Sequence, residues 1–397
     1  MAVANGSFSY QPPLLLQQME SDLATLPMFF GDSGDTIISE NKPSTKFLNN
    51  LHSMGFEIPN FQSLSEAEVL HDNSLEEIYP WGWSPAAHFI LKNLKEKCSQ
   101  KFKNRPNSEW TDTHRRLYER STALRFLQDL LQNTLTSKFV ELHQTGQIVQ
   151  SISDIENLLT TNNPLVLKAP MSSSGRGVQI IRKSMLNNSN KQWFAGILKQ
   201  QKYLIAEPYI DKISDLSFQF RINSEQDIDF LGTSFFETNS NGQYQCTLLN
   251  PVFGNLFPGR DKELTELLEF TAHLLLIALK GTIYAQLHRG FIGIDAMIFQ
   301  ENDGLKIQPC IEVNCRMNMG ILALQIQQRI HPEASGKFEL MYNKNRILPV
   351  FRMKTKKTKE TNNPVYREGK LFEGFVLLAE ANEQSKFGAY ISLGTAK

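Results

Sequence analysis

Val166-Leu167-Lys168-Ala169-Pro170, running into Ser172-Ser173-Ser174-Gly175-Arg176-Gly177, decides the fold of this chain when taken with Gly293-Ile294-Asp295 and Glu312-Val313-Asn314-Cys315-Arg316, about 130 residues downstream. Apolar residues lead into each segment, so each reads as a strand end with its loop. A lysine at a strand end, followed by serines and glycines, offers phosphate a cation and backbone N–H groups, and glycine admits the close approach. A bare Gly-x-Gly reads better as a hinge, but the strand-end lysine and the serine run favour phosphate. Glu312 and Asn314, two apart on a strand, project to one face and can share a magnesium ion, with Asp295 on the neighbouring strand completing the oxygen donors. Any one of the three alone reads better as a polar strand terminus; the trio after a phosphate loop reads as a metal site. Arg316 keeps the same parity, which aims its fixed charge at phosphoryl or acyl-phosphate oxygens on that face, or at Glu312 as an ion pair.

Composition bounds the rest. At 397 residues and 41% hydrophobic content the chain supports two or three packed domains. Its 41 basic and 41 acidic residues leave no bulk field to hold nucleic acid or an anionic membrane. The four cysteines, Cys98, Cys246, Cys310 and Cys315, have no metal spacing and form no disulfide framework. Met1 to Tyr10 lacks a basic and an apolar region, and no apolar stretch reaches a membrane span, so a soluble, cytoplasmic protein is expected.

Pro27 to Ser39 reads as a glycine turn feeding a short strand, and Lys46 to Met54 as a helix. Leu64 to His71, Ser84 to Lys97 and Thr111 to Leu131 follow as helices. Phe139 to Val149 is strand-like; Ser151 caps a helix through Leu159; Asn162-Asn163-Pro164 breaks before the strand Leu165 to Lys168. Downstream, strands are expected at Tyr203 to Ala206, Leu216 to Ile222, Phe291 to Phe299, Ile307 to Val313, Leu371 to Ala379 and Phe387 to Ser392, with a strong helix at Leu264 to Leu279.

Leu167-Lys168-Ala169-Pro170 with Ser173-Ser174-Gly175-Arg176-Gly177, Ala206-Glu207-Pro208-Tyr209-Ile210, Gly293-Ile294-Asp295-Ala296-Met297 and Glu312-Val313-Asn314-Cys315-Arg316, in that order, resemble the ATP-grasp superfamily over roughly residues 115 to 330. The resemblance implies an α+β fold in which two α+β subdomains (115–335) clasp ATP, preceded by a small α/β domain (1–114) and followed by a strand-rich extension with a basic loop (336–397). It implies Lys168 and the loop Ser173, Ser174, Gly175, Arg176 and Gly177 on phosphate. Glu207, Tyr209 and Ile210 would hinge over adenine, Asp215 would lie near the ribose, and magnesium (or manganese) would sit on Asp295, Glu312 and Asn314. The Glu-x-Asn-x-Arg form is like that of biotin carboxylase and carbamoyl-phosphate synthetase, whereas Gly290 to Met297 is closer to D-alanine ligase.

Departures from the pattern matter too. The family's second phosphate lysine lies on an upstream helix; Lys138 precedes Lys168 by only 30 residues and Arg120 by 48, which favours Arg120. Pro208 has no N–H for adenine. The D-alanine-ligase pattern carries an arginine where this chain has Gly293. Trp81-Gly82-Trp83-Ser84 reads as loop packing rather than a substrate mouth. Arg260 begins a helix or meets a substrate carboxylate, and the basic run Arg352 to Lys359 reads as a solvated loop. The activity implied is ADP-forming ligation of a small-molecule or peptide carboxylate to an amine through an acyl phosphate, with Lys168 and Arg316 catalytic. Small-molecule kinase and non-catalytic nucleotide sensor stay open, and so does the oligomeric state.

Overall fold

Three sheets organise the chain, which the computed structural model describes at residues 2–69, 71, 74–172, 177–240, 242–302, 304–350 and 364–395. The first is a parallel pair, β1 (Thr36–Ile38) with β2 (Asn60–Gln62). The second comprises β3 (Gln147–Val149), β4 (Leu165–Lys168), β5 (Val178–Ile181) and β6 (Leu204–Pro208), antiparallel in the order β3-β6-β4-β5. Helices Ile152–Thr161 and Asn188–Gln201 cover it, burying Ile155, Leu159 and Phe194 against Leu167 and Leu204. Each helix starts where its sequence signals: the Ser151 hydroxyl accepts from Asp154 N–H while the Asp154 carboxylate accepts from Ser151 N–H, and Asn187 and Asn190 repeat the box.

The third sheet holds β7 (Lys212–Ile222), β8 (Ile228–Thr238), β9 (Tyr244–Leu249), β10 (Gly290–Glu301), β11 (Gly304–Asn314), β12 (Ala334–Tyr342), β13 (Val365–Arg367), β14 (Lys370–Leu377) and β15 (Phe387–Thr395). Its nine strands run β11-β10-β7-β8-β9-β12-β15-β14-β13 and all neighbours are antiparallel. Period-two alternation divides β10 cleanly. Ile292, Ile294 and Ala296 enter a core with Phe218 and Phe220, under helices Arg120–Gln132 and Asp261–Leu279, while Phe291, Gly293 and Asp295 face the other way. At about 1.5–3 kcal/mol per buried large apolar side chain, that face fixes the register and so the polar face opposite.

Residues from both ends of the chain share one core, in which Leu26, Met28, Phe29 and Phe56 pack with Leu322, Phe338, Leu371 and Ile391. The Asp22 carboxylate accepts from Lys386 N–H at 2.8 Å and Phe387 N–H at 3.0 Å, and Thr25 donates to Leu378 O at 3.1 Å. Strands β12 to β15 thus continue the same sheet as β10 and β11.

Four expected elements differ. Leu64 to His71 is helical over Leu64–Ala67 alone among the described residues, and Ser84 to Lys97 is two helices, Pro85–Ile90 and Lys92–Glu96, divided at Leu91. Thr111 to Leu131 is not one helix: a turn at Asp112–Arg115 and a 3-10 turn at Arg116–Tyr118 end at an extended Glu119, after which Arg120–Gln132 begins. The Tyr118 hydroxyl bonds Trp83 O at 3.0 Å and Cys315 O at 3.3 Å, a tertiary anchor that outweighs local helix preference. Phe139 to Val149 forms a strand only at its end, because Lys138 and Val140 bond Ile307 and a 3-10 turn follows at Leu142–Gln144. Strands β5, β8, β9 and β12 and helices Asn188–Gln201 and Met319–Gln327 went unread in the sequence. Arg352 to Lys359 lies outside the described residues. Among the described residues no helix is long and apolar enough to cross a membrane.

Replacing Asp22 with Ala removes the acceptor of two strand-start amides and is expected to lower the unfolding free energy by about 2 kcal/mol, read by urea denaturation. A second expectation concerns pH. His288 is buried, bonds Phe291 O through Nε2 at 2.9 Å, and burial holds its pKa near 4 against an ordinary 6.5. Its folded value lies below its unfolded one, so its contribution to stability is complete above pH 6.5 and is lost as pH falls toward 4. His288→Gln should flatten that limb of the stability profile; an unchanged slope between these values would refute the assignment.

Candidate active site

In the β10–β11 pair Asp295 stands directly opposite Glu312, and Gly293 opposite Asn314. Opposed residues of antiparallel strands share a face, so two carboxylates and a carboxamide converge there. Asn314 Nδ2 donates to Asp295 Oδ2 at 3.1 Å, and Arg316 donates to Asn314 Oδ1 at 2.7 Å. Arg316 also reaches Met317 O at 3.4 Å; the ion-pair partner of Glu312 is Arg120 instead. Desolvation between the strands pushes the Asp295 carboxyl up to about 7, the Glu312 charge adds to this, and Ser217, Arg316 and Asn314 oppose it. Desolvation also raises Glu312, but Arg120, Arg316 and Lys168 outweigh it and hold that carboxyl below its ordinary value. One facing carboxyl is kept anionic by arginine and its neighbour is driven toward its proton. Among the described residues no group of three His, Cys, Asp or Glu side chains could hold a metal ion; the candidate donors are two carboxylates and an amide oxygen.

Arg120 opens its helix and is only 6% exposed. It donates to Ala169 O at 2.8 Å, to Ser172 Oγ at 2.6 Å and to Glu312 Oε2 at 2.9 Å, and its backbone N–H bonds Pro170 O at 3.0 Å. The start of the serine-glycine loop and the carboxylate pair are therefore joined through one guanidinium. Lys168, the last residue of β4, is buried and donates to Glu207 Oε2 on β6 at 2.5 Å. Ser173, Ser174, Gly175 and Arg176 lie outside the described residues. Gly177 returns the loop to the sheet through Ala169 N–H at 2.8 Å, and a Cβ there would fall 2.3 Å from that of Ser172, which excludes any side chain.

The remaining expected residues are placed less directly. The Tyr209 N–H is committed to Pro164 O at 3.0 Å and its ring lies 4.9 Å from the Arg182 guanidinium; Ile210 follows it out of β6. Asp215 bonds Lys212 and, at 2.8 Å, the Thr238 hydroxyl, two residues before Ser217, the cross-strand neighbour of Asp295. Arg260 forms a two-pronged pair with Glu263 at 2.7 and 3.0 Å, which fits the start of helix Asp261–Leu279. At Gly293 a Cβ would meet Asn318 Nδ2 at 2.6 Å and Gln219 Oε1 at 2.8 Å, so two amides fill the ground that an arginine takes in the D-alanine-ligase pattern.

The Trp-Gly-Trp loop, read as packing, does pack at Trp83, which is buried with Cys98 and Phe102. Trp81 and Gly82 instead reach the site: Met317 N–H donates to Trp81 O at 2.9 Å, and a Cβ on Gly82 would lie 3.1 Å from Arg316 Cβ. A glycine between two tryptophans was the available signal, since only a missing side chain lets the loop lie on the arginine.

No family model matches this chain, and no curated protein matches it. Solved structures do. A biotin carboxylase of Campylobacter jejuni in a β,γ-ATP complex superposes with a TM-score of 0.54 at 12% identity, over 96% of this chain and 86% of that one. An ADP complex of purK, N5-carboxyaminoimidazole ribonucleotide synthetase, gives 0.52 at 13% identity over 95% and 90%. Pyruvate carboxylase of Rhizobium etli gives 0.50 at 12% identity over 81% of this chain and 28% of that one. The chain has the ATP-grasp fold. In this ATP-grasp fold the four-stranded sheet carries Lys168, the nine-stranded sheet carries Asp295, Glu312 and Asn314, and Arg120 spans the two.

Removing the Arg120 charge leaves Glu312, 31% exposed at its side chain, without its ion pair. Arg120→Ala is expected to cost about 2–4 kcal/mol in denaturant unfolding, and Arg120→Lys to recover only part, since an ammonium lacks the fork that spans three acceptors. Equal stability of all three proteins would show the bridge to be idle.

Proposed function

We propose that this chain is an ATP- and magnesium-dependent ligase that activates a substrate carboxylate as an acyl phosphate, which an amine then attacks, with ADP and phosphate released. The observation that carries this is the Arg120 bridge: the same guanidinium touches Ser172 of the serine-glycine loop and Glu312 of the carboxylate pair, so phosphate on the loop would lie beside a cation on the pair. The ATP-grasp fold supports it, as do the names of two similar structures, a biotin carboxylase with β,γ-ATP and an N5-carboxyaminoimidazole ribonucleotide synthetase with ADP.

The donor set fits magnesium or manganese, because Asp295 and Glu312 face each other with incomplete charge compensation and Asn314 adds an oxygen once its amide makes a half-turn away from Arg316. Bound there, the ion would neutralise charge on the β- and γ-phosphates. Lys168 would exchange Glu207 for phosphate oxygens, with Arg120 as the second cation. Ser173, Ser174, Gly175, Arg176 and Gly177 would close over the triphosphate and exclude water. Glu207, Tyr209 and Ile210 would edge the adenine and Asp215 the ribose. Arg316 would hold the substrate carboxylate and then the acyl phosphate, its charge placed where negative charge grows. The substrates are a small-molecule or peptide carboxylate and an amine; no step calls on nucleic acid or a membrane.

ADP release from magnesium-ATP with pooled carboxylates and amines should require both pools, and Lys168→Ala and Glu312→Ala should each reduce it by about 100-fold or more. Near-native turnover in either variant would refute the site, and release without any carboxylate would replace the ligase with a kinase.

A further inference from the structure

Beyond the carboxylate pair the same face of the large sheet changes character. Asp295, Gly293 and Phe291 alternate along β10 opposite Ser217, Gln219 and Arg221 of β7, which sets Phe291 about 13 Å along the strand from Asp295. Phe291 there meets rings from the N-terminal segment: Phe30 at 5.8 Å and Tyr79 at 6.3 Å, with Trp81 edge-on to Phe30 at 6.0 Å. All four rings are half-buried, unlike Trp83 a few residues away, which is 7% exposed. Two guanidiniums flank them. Arg316 sits under Gly82, next to Trp81, and Arg221 lies 5.7 Å from the Phe291 ring centroid. Neither arginine forms an ion pair among the described residues: Asp229, across the strand pair from Arg221, accepts from Asn223 instead, and Arg221 keeps only a 3.4 Å contact to the Tyr79 hydroxyl. Partly uncovered aromatic rings between two guanidiniums without a direct ion pair among the described residues, on the face that carries Asp295, form a surface complementary to a flat apolar body bearing an anion.

We propose that Phe30, Tyr79, Trp81 and Phe291 form the acceptor subsite for an aromatic carboxylic acid, whose carboxylate Arg316 receives and whose ring lies on Phe291 and Trp81. This rests on the ligase reading for the reaction but not for the binding. Arg316 fixes one end of the acid, the ring cluster sets its body, and Arg221 at the outer end adds positive potential that draws anions in. Trp81 and Phe291 are specificity-determining residues here, and Gly82 is a positioning residue that lets the loop carrying Trp81 reach Arg316.

Calorimetric titration of the full chain with 3-phenylpropionate, propionate and 3-phenylpropanol tests this, with ADP titrated separately into every protein. The expected result is that 3-phenylpropionate binds about tenfold or more tighter than either comparator. Phe291→Leu and Trp81→Leu should each remove most of the advantage over propionate, and Arg316→Gln most of the advantage over the alcohol, with ADP affinity unchanged in Phe291→Leu and Trp81→Leu as the check on folding. Equal binding of the aromatic and aliphatic acids, no binding of either, or an aromatic preference that survives both ring substitutions would overturn the subsite. Failure of ADP to bind the unaltered chain would instead refute the nucleotide reading and leave the comparison of acids intact.

Discussion

Two carboxyl groups facing each other across adjacent strands is the constraint around which the rest of this molecule is arranged. Carboxylates on directly opposed residues repel, so Asp295 and Glu312 resist being ionised together without imported positive charge. The chain brings that charge from separate places: Arg120 at a helix start, Lys168 at the end of β4 and Arg316 just beyond β11. Each import shapes the structure around it. The helix has to begin at Arg120 rather than at Asp112, the loop has to leave β4 by way of Pro170 and Ser172, and the N-terminal segment has to lie over Arg316.

The same imports hold the two sheets together. Glu207 anchors Lys168 within the four-stranded sheet, while Arg120 crosses to the nine-stranded sheet. An ion pair inside one sheet fixes a side chain; one between sheets fixes the distance between the start of the serine-glycine loop and the facing carboxylates. The second is the harder to replace, because it uses the guanidinium's several donors at once, to a carbonyl, a hydroxyl and a carboxylate.

Much of this was legible in the sequence because a strand's period is two. Glu312, Asn314 and Arg316 share parity, as do Gly293 and Asp295, and the structure puts Asp295, Glu312 and Asn314 side by side. Arg120 was singled out by the family pattern together with its spacing from Lys168, and the structure sets it against Ser172 and Glu312. What could not be read was who meets whom. Arg120 and Glu312 are 192 residues apart in sequence, and no local pattern encodes such a contact. The break before Arg120 was hidden because helical spacing continues through it, while the forces that interrupt the helix, Tyr118 bonding Trp83 and Cys315, are tertiary. Strands β8, β9 and β12 were missed because tertiary pairing, rather than a clean alternation, sets their limits; β8 carries exposed Phe230 and Leu231 where a half-buried strand would place polar residues.

The division of labour between the two ends of the candidate site follows from which parts of the chain supply them. At the carboxylate end Lys168 and Asn314 close strands and Arg120 opens a helix, Arg120 bonds across to Glu312, and a substitution there disturbs the charge balance of the carboxylate pair. At the other end Phe291 and Arg316 are offered by the large sheet and its end, whereas Phe30 closes the 3-10 turn Leu26–Phe30 and Tyr79 and Trp81 come from the loop before helix Pro85–Ile90, meeting the site through Met317 N–H to Trp81 O, Arg221 to the Tyr79 hydroxyl and ring contacts. Loop side chains of that kind can change without moving Asp295 or Glu312, because nothing in the charge network passes through them. In the ligase reading, chemistry is therefore held by interactions that tolerate little change, and selectivity by a surface that tolerates much. That separation gives a physical reason why, on a fold that carries many chemistries, the outer rings could vary while the strand-end carboxylates of this chain stay fixed.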